Sequence, residues 1–548
     1  MPELREAAPL LSVDHRSVTR RAFLSAAAGT AVGLAVARTA RGAELGTSGS
    51  GAAAPILGRG DAAAQELAVD SRAVPWARLA GSLTGTLVTP QDPRYAVASQ
   101  LYNERFDGIR PAAVAYCAVP ADVQRCVAFA RHHRVPVAAR SGGHSYGGYS
   151  TCRGLVVDVT RMAGVRVDAR GTRATVGAGA RLIDLYAALG AAGRLLPGGS
   201  CPTVGVAGLT LGGGISVFSR RYGLTCDQLR GLRIVTADGR LLACGPEHDE
   251  DLYWASRGGG GGNFGIATSF EFDVHPIPPV ALFTLQWPFG AAADVLGAWM
   301  RWMAGAPDDL WSNCQLLSAG SAGGAFVRTS GVLCGSASAL ASLLRPLQRA
   351  VGTAPTTDFV GQESYLPAML IEAGCAGKTV AACHLPSQNP SGTLSRAAFA
   401  AKSAYVVSMP PGAAVSAAVD AVSTLDRDVP AVGGGIVFDA YGGAINAVAP
   451  DATAFVHRDA LACAQWSVFF GPDAAPPVVE AGSAWLAATA RSLAPYVRGA
   501  YQNYIDPELK DWARAYYGAN LERLVKVKRR VDPDDFFHFA QSVPTHLG

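Results

Sequence analysis

The fold of this chain is indicated most directly by the stretch Arg140-Ser141-Gly142-Gly143-His144-Ser145-Tyr146-Gly147-Gly148, which follows the short strand candidate Val135–Ala139. Glycines lack Cβ atoms, so backbone N–H groups in such a turn can converge on an anion, and a pyrophosphate is the natural guest. No GxGxxG motif opens a helix here. The pattern therefore does not favour a nicotinamide site of the Rossmann type.

Two further glycine-rich stretches follow the first one. Residues 197–214 read PGGSCPTVGVAGLTLGGG, and residues 257–265 read RGGGGGNFG. So many glycines with so few side chains indicate backbone that packs closely against a flat ligand. The first two stretches each carry one reactive side chain, His144 and Cys201. An imidazole and a thiolate are both nucleophiles, so each can bond covalently to an electron-poor ring.

The segments around these stretches alternate between helical and strand-like patterns, which indicates an α+β or α/β fold. Apolar residues at helical spacing predict helices over Ala121–His133 and over Arg181–Leu189, the latter ended by Gly190. The other predicted elements are the strands Leu155–Val159, Leu282–Gln286 and Gly435–Phe438 and the helices Val415–Leu425 and Trp512–Gln541.

Composition limits the class of protein. The 548 residues are enough for about two to four domains. With 49% apolar and 16% charged residues, the chain is expected to fold compactly. The net charge of +4 is spread thinly, so nucleic acid is not an expected partner. The eleven cysteines form no CxxC pair and no zinc-type cluster, so we predict no metal site and expect one or two disulfides.

The N-terminal segment has the pattern of an export signal. Arg20 and Arg21 precede Phe-Leu and an Ala/Gly-rich apolar run to Ala37, which is the twin-arginine pattern. A transmembrane helix needs about 20 apolar residues, so this shorter run does not predict membrane integration. We therefore predict secretion through the twin-arginine export machinery. Since that route carries folded proteins, it also favours a bound redox cofactor.

The glycine-rich stretches, taken together, resemble the berberine-bridge-enzyme-like branch of the vanillyl-alcohol-oxidase superfamily. Two more stretches share the resemblance: DLYWASRGGGGGNFGI at residues 251–266, and a tail that reads YQNYID at 501–506 and YYGANLERLVKVK at 516–528. The resemblance runs from about residue 95 to the C-terminus. It implies an α+β fold, with a two-subdomain FAD-binding domain of the PCMH type and a substrate domain whose antiparallel sheet is covered by helices.

The resemblance and the export pattern together imply five parts of the chain. These are a twin-arginine signal peptide at 1–42, a linker at 43–85, the FAD-binding domain at 86–276, the substrate-binding domain at 277–499, and a C-terminal berberine-bridge-type segment at 500–548 that returns to the FAD domain.

Site residues also follow from the resemblance. It implies that His144 bonds the 8α carbon of the flavin and that Cys201 bonds its C6, so that FAD is tethered twice. Tyr504 would face the flavin as the catalytic base, and Asn503 would hold the cofactor. The other residues that it implies on the substrate side are Asp439, Tyr441 and Gln465. The other implied cofactor-binding residues are Arg140, Ser141, Gly142, Gly143, Ser145, Val204, Gly205, Gly208, Gly213, Gly265 and Ile266.

The implied activity is oxidation of an alcohol. Gln465 stands where alkaloid-oxidising plant members have a carboxylate, and glutamine cannot act as a base, which favours Tyr504. Tyrosine titrates near pH ~10, so a tyrosinate needs a nearby cation or strong hydrogen bonds. Val204 matches a position where a modest side chain leaves oxygen a path, which implies an oxidase that forms hydrogen peroxide. The expected substrate is a sugar, an oligosaccharide or a glycosylated natural product. The alternatives are a dehydrogenase with a non-oxygen acceptor and a flavin-binding carrier without turnover.

Overall fold

The protein is described by a computed structural model over residues 74–320, 323–471 and 473–547. The predicted signal peptide and most of the predicted linker lie outside these residues.

The first subdomain is built on a small mixed sheet. Its strands are β1 (Thr86–Val88), β2 (Ala113–Tyr116), β3 (Val137–Arg140) and β4 (Leu155–Asp158), in the spatial order β1-β2-β4-β3. Both β2 and β3 run parallel to β4, so the loop after β3 leaves from the carboxyl edge of the sheet. The accompanying helices are α1 (Trp76–Ser82), α2 (Tyr95–Ala98) and α3 (Pro120–His133).

The helix predicted over Ala121–His133 corresponds to α3. It begins at Pro120, whose ring fits the first helical turn because that N–H has no partner within a helix. Its buried face contains Val123, Val127 and Ala130, the three residues whose spacing predicted it. The strand expected at Val135–Ala139 begins two residues later, at Val137, and includes Arg140.

The second subdomain is an antiparallel sheet. Its strands are β5 (Val165–Val167), β6 (Arg173–Gly177), β8 (Leu229–Val235), β9 (Leu241–Cys244) and β10 (Ile266–Asp273), in the order β5-β6-β10-β8-β9, while β7 (Arg194–Leu195) pairs with β11 (His275–Pro276). Its helices are α4 (Leu182–Ala191), α5 (Val206–Leu211), α6 (Ser219–Tyr222) and α7 (Glu250–Ala255).

A seven-stranded antiparallel sheet forms the third part. Its strands are β12 (Val280–Pro288), β13 (Leu310–Ser318), β14 (Ala325–Cys334), β15 (Thr357–Glu363), β16 (Ala398–Val406), β17 (Gly433–Ala440) and β18 (Ala462–Phe470), in the order β15-β12-β14-β13-β17-β18-β16. The helices of this part are α8 (Ala292–Ala304), α9 (Ala337–Val351), α10 (Tyr365–Glu372), α11 (Gly412–Asp428) and α12 (Pro476–Leu493). All five contact the sheet, and α10 also packs against α4 of the second subdomain.

This third part confirms the predicted antiparallel sheet covered by helices. Strand residues alternate between two faces. On β13, residues 311, 313, 315 and 317 line a cavity, so the helices cover one face of the sheet and the cavity occupies the other.

The chain ends with α13 (Trp512–Tyr517) and α14 (Leu521–Val531). The continuous helix predicted over Trp512–Gln541 is therefore wrong in its second half. The chain leaves the helix at Asp532, because a residue that precedes proline avoids helical angles and Pro533 follows.

Two further observations concern the predicted disulfides and membrane integration. Cys375 and Cys383 form a disulfide. In the part of the chain that the structure describes, no helix is both long and apolar enough to cross a membrane.

Candidate active site

A cavity of about 1060 Å³ lies where the three sheets and the C-terminal segment meet. One end is lined by the loop after β3, the loop before α5 and the glycines 261, 262 and 265. The other end is lined by β13 and β17 of the large sheet, by Glu372 at the end of α10, and by residues 501–505. The glycine-rich stretches and the substrate-side strands thus open onto one space.

Two glycines set the distance between the loops that carry His144 and Cys201. A Cβ added to Gly142 would collide with the backbone N of Gly205, and a Cβ added to Gly205 would collide with Ser141 Oγ. Any other residue at either position would push the loops apart. This close approach is the structural use of the glycines that the sequence pattern singled out.

His144 and Cys201 share a neighbour, Thr203. The Thr203 hydroxyl oxygen lies 2.8 Å from His144 Nε2, and the same hydroxyl hydrogen-bonds toward the Cys201 thiol. On its face, the His144 ring stacks on Tyr102 with 4.0 Å between the ring centroids. Thr203 itself is buried. The structure therefore brings both predicted attachment points to one corner of the cavity.

Burial governs the titration of both side chains. It lowers the pKa of His144 to about 3, with a smaller effect from the Arg181 charge, so the imidazole is neutral. Burial also raises the pKa of Cys201 to about 11, although hydrogen bonds from Thr203 and Val204 oppose that rise. Cys201 is consequently a thiol at neutral pH, and formation of a thiolate requires further stabilisation of the negative charge.

Most of the other predicted cofactor-binding residues line the cavity. They are Arg140, Ser141, Gly142, Gly143, Ser145, Val204, Gly205, Gly208, Gly265, Ile266 and Asn503. Gly208 has no atom within 4 Å of the position of an added Cβ, so its Cα faces open space along the cavity wall. A flat ring with a pyrophosphate tail fits this glycine-lined surface, since backbone can approach it without side chains in between.

Some of those residues already have protein partners. The guanidinium of Arg140 is bonded to the buried Asp158 carboxylate and to the Ala98 carbonyl. Ser141 Oγ donates to the Ala178 carbonyl. These two side chains therefore hold the loop in place, and the anion-binding groups that remain are backbone N–H groups.

The C-terminal segment closes over the Cys201 loop. Asn503 Nδ2 donates to the Leu209 carbonyl at 3.0 Å and to the Tyr501 hydroxyl at 3.0 Å, and Tyr501 in turn accepts from Gly214 N–H. Asn503 thus lines the cavity while its amide donors are engaged with protein atoms. This arrangement holds the segment that carries Tyr504 against α5, the helix that follows the Cys201 loop.

Tyr504 lies in a group of polar and aromatic side chains. Its ring stacks on Tyr146 with the centroids 5.3 Å apart, and Gln465 Nε2 donates to the Tyr146 hydroxyl at 3.1 Å. Burial raises the pKa of Tyr504 far above its usual value, and the Asp439 charge raises it further. A tyrosinate would need a nearby cation or strong hydrogen bonds. Within the described residues, the groups that act on the Tyr504 phenol include neither. Tyr504 is therefore protonated at neutral pH.

Two buried carboxyl groups line the substrate end of the cavity. Burial raises the pKa of Asp439 to about 7, although a hydrogen bond with Asn313 opposes the rise. Asn313 is the register partner of Asp439 on the neighbouring strand β13. Burial, together with the Asp439 charge, raises the pKa of Glu372 to about 7 as well. At neutral pH these two groups can gain or lose protons, which suits proton transfer.

Three predicted site residues do not line the cavity. A Cβ added to Gly213 would press on the rings of Phe455 and Tyr501, so this glycine packs against those two rings. Tyr441 is buried with those two rings and with Tyr405. The side chain of Gln465 is buried and reaches the cavity only through Tyr146.

Sequence reasoning missed four residues of the site. Tyr146 lies in the glycine-rich stretch 140–148 and Thr203 in the stretch 197–214, so their place in a motif could have identified both as site residues. Tyr102 and Glu372 lie in segments without a motif, and only the folded chain brings them to the cavity.

The comparisons with known proteins agree with this geometry. Residues 111–245 match the family described as FAD binding domain, and residues 500–544 match the family described as berberine and berberine like. The FAD-linked oxidoreductase YgaK of Bacillus subtilis, itself uncharacterised, is 33% identical over 474 residues, which cover 84% of this chain and 97% of the relative.

Solved structures show the same fold. The BBE-like 1 protein of Physcomitrella patens superimposes with a TM-score of 0.78 at 28% identity and covers 86% of this chain and 99% of its own. The xylooligosaccharide oxidase from Myceliophthora thermophila C1, solved with xylobiose, has a TM-score of 0.75 at 27% identity, with 86% and 99% covered.

Proposed function

This chain belongs to the berberine-bridge-enzyme-like family of FAD-linked oxidoreductases, and we propose that it oxidises an alcohol group of a sugar, an oligosaccharide or a glycosylated natural product, with oxygen reduced to hydrogen peroxide. The observation that carries the proposal is that one cavity joins the His144 and Cys201 corner to the buried Tyr504 and Asp439. A structural neighbour that is a xylooligosaccharide oxidase supports the substrate class.

We propose that His144 and Cys201 both bond covalently to FAD. When bound, the flavin accepts a hydride from the carbon that carries the hydroxyl group. The neutral imidazole and the thiol come from two loops held together at Gly142 and Gly205, so both can meet one ring. Two tethers hold the ring without a lid, which leaves the substrate end open for a bulky glycoside.

The protein must take the proton of the substrate hydroxyl. Tyr504 is a phenol and cannot start as a base, whereas Asp439 has a pKa near neutrality. We propose that the Tyr504 oxygen accepts the substrate proton while the phenol proton passes to Asp439. The negative charge of Asp439 is then neutralised by that proton, and no free tyrosinate is needed.

Reoxidation needs a path for oxygen. Val204 follows Cys201 by three residues, lines the cavity and is of modest size. We propose on this basis that oxygen is the electron acceptor. Anaerobic reduction by substrate followed by admission of air gives the measurement, and a reduced flavin that persists in air would indicate a dehydrogenase instead.

Denaturation in acid tests the attachment. We expect the yellow colour to stay with the precipitated protein, and intact mass to show one added FAD. His144→Ala and Cys201→Ala should each keep one tether, and the double variant should release all flavin. Colour that washes away from the wild-type protein would contradict the covalent proposal.

A panel of mono- and oligosaccharides tests the reaction through flavin bleaching and peroxide formation. Tyr504→Phe removes the hydroxyl that relays the proton, so turnover should fall by about 10²- to 10⁴-fold while the tethered flavin remains. Full turnover in this variant would rule out the assignment of Tyr504.

A further inference from the structure

Buried charged side chains in the described chain generally have a partner of opposite charge. Arg458 is paired with Asp227 at 2.7 Å, and Lys528 with Asp532 at 2.7 Å. Such pairing is expected, because an unpaired charge that has left water costs several kcal/mol, on the order of the penalty for each buried ion. A buried carboxylate without a partner therefore requires an explanation.

Glu372 is such a group, since about half of it is ionised at neutral pH and the ionised form has no partner. It is the last residue of α10, only 6% exposed, and it lines the cavity. Across the described residues it has neither a hydrogen-bond donor nor a cation as a partner, and the charge that acts on it is that of Asp439, which is also negative. The C-terminal end of a helix carries partial negative charge as well, so the fold itself disfavours an anion there.

The walls near Glu372 do not compensate for this charge. The residues of the large sheet that line the cavity include Trp311, Asn313, Gln315 and Ser467, none of which is cationic. The arginines of the cavity lining lie between residues 131 and 153, in the part built on the first sheet. The substrate end therefore holds two carboxyl groups and no basic side chain among its described lining residues.

We propose that Glu372 binds a cationic amine of the substrate, so that the preferred sugar carries a free, unacetylated amino group. This inference rests on the proposed function in placing the substrate in the same cavity. An ammonium group would supply the missing opposite charge, and a charge-assisted hydrogen bond in a buried site is stronger than one to a neutral hydroxyl. A neutral sugar gives the carboxylate hydrogen bonds but leaves its charge uncompensated.

Three β-1,4-linked disaccharides that differ only at C2 provide the test. These are cellobiose with a hydroxyl, the glucosamine dimer with an ammonium group, and the N-acetylglucosamine dimer with an acetamide. Binding is measured by calorimetry at pH 7 without oxygen on protein whose flavin has first been reduced with dithionite, so that no hydride transfer takes place. Reduction of the oxidised flavin by each sugar is recorded separately. We expect the glucosamine dimer to bind about 10- to 100-fold more tightly than cellobiose, which is the range for a hydrogen bond to a charged group.

Glu372→Gln keeps the shape of the side chain and removes the charge. It should abolish the preference for the amine and leave the affinity for cellobiose within about threefold, since the amide can still bond a hydroxyl. Asp420→Asn, which removes an exposed carboxylate on α11, should leave all three affinities unchanged. Thermal unfolding of both variants verifies that each is folded.

Several outcomes would overturn the inference. One is equal affinity of the wild-type protein for the glucosamine dimer and for cellobiose. Another is an equal loss of affinity for all three sugars in Glu372→Gln, because Glu372 would then be a partner for neutral groups. A preference for the amine that depends on Glu372, with no sugar reducing the flavin, would support the binding site and contradict the proposed oxidase.

Discussion

Thr203 has a single hydroxyl proton and two neighbours that use its oxygen. Its hydrogen bond lowers the pKa of Cys201, so the proton is directed toward the sulfur. The oxygen must then accept from the Nε2–H of His144, 2.8 Å away. This assignment leaves Nδ1 of His144 with a free lone pair, which is the form of the ring that can act as a nucleophile.

We therefore predict that Thr203→Val reduces both covalent attachments at once. The isosteric methyl group keeps the packing but neither fixes the imidazole tautomer nor helps the thiol to ionise. The fraction of protein with one, two or no bonds to FAD is measured by intact mass and by flavin fluorescence in denaturing gels. Thr203→Ser keeps the hydroxyl and should behave as the wild-type protein. Complete double attachment in Thr203→Val would contradict the argument.

Asp439 sets the expected pH dependence. Its pKa is raised to about 7, so below that pH the carboxyl group is protonated and cannot accept a proton. With a neutral sugar, kcat/KM should rise as pH increases through about 7, and below the pKa it should change about tenfold per pH unit. Stopped-flow reduction of the flavin measures the profile.

Two variants distinguish this profile from a general loss of structure. Asp439→Asn should remove the acid limb and lower the rate at every pH. Glu372→Gln takes away a negative neighbour, which should move the limb to lower pH because Asp439 then ionises more easily. A profile that stays unchanged in Asp439→Asn would assign the proton to another group.

At the level of elements, the C-terminal segment is tied to the substrate sheet by a buried ion pair. Lys402 on β16 donates to both carboxylate oxygens of Asp506, at 3.0 and 2.8 Å, and to Glu508. Asp506 follows Tyr504 by two residues, so this contact fixes the position of the proposed proton relay. Lys402 and Asp506 are each about 9% exposed, which places the pair in a region of weak screening.

We predict that Lys402→Met destabilises the fold by about 3–5 kcal/mol, because it leaves the Asp506 charge buried and unpaired. Urea unfolding followed by tryptophan fluorescence measures the change. Adding Asp506→Asn should recover part of the loss, since the orphaned charge is then removed. The exposed pair of Arg427 and Asp428 serves as the control, and Arg427→Ala should cost about 0–1 kcal/mol. A loss in Lys402→Met no larger than in this control would show that the ion pair does not hold the segment.

The secondary-structure elements show which features of the fold local sequence patterns can predict. Local patterns identified α3 and α4 and the strands β4, β12 and β17, since apolar periodicity is a local property. The end predicted for α4 at Gly190 is wrong, because the helix includes Gly190 and ends at Ala191. The helix predicted from Trp512 to Gln541 is too long, because the observed helix ends at Val531, two residues before Pro533. Gln465 was placed on the substrate side by resemblance, yet burial turns its side chain toward Tyr146.

At the scale of the molecule, the cavity was not readable from the sequence beyond its motifs. The strand order β15-β12-β14-β13-β17-β18-β16 joins segments far apart in the chain, and local patterns do not report such pairings. His144 and Cys201 could be predicted because glycine-rich motifs surround them. Glu372 could not, since its place in the cavity comes from packing of α10 against α4 and β12, and its surroundings carry no motif.

The disulfide provides a way to follow the predicted export. Cys375 and Cys383 are bonded in the structure, and such bonds persist in oxidising compartments and are rare in the cytosol. The twin-arginine pattern at Arg20 and Arg21 predicts that folding and FAD binding precede export. The two cysteines should then remain thiols inside the cell and become a disulfide only after transport.

We predict that replacing Arg20 and Arg21 by lysine stops secretion without preventing flavin attachment. The retained protein should be yellow, with the flavin bound covalently. A maleimide should label Cys375 and Cys383 in the denatured retained protein and neither of them in the secreted wild-type protein, as read by mass spectrometry of the peptides. Replacing Arg38 and Arg41, which lie beyond the apolar run, provides a control of equal charge and should leave secretion intact. If the lysine variant were still secreted with the disulfide formed, another export route would be in use.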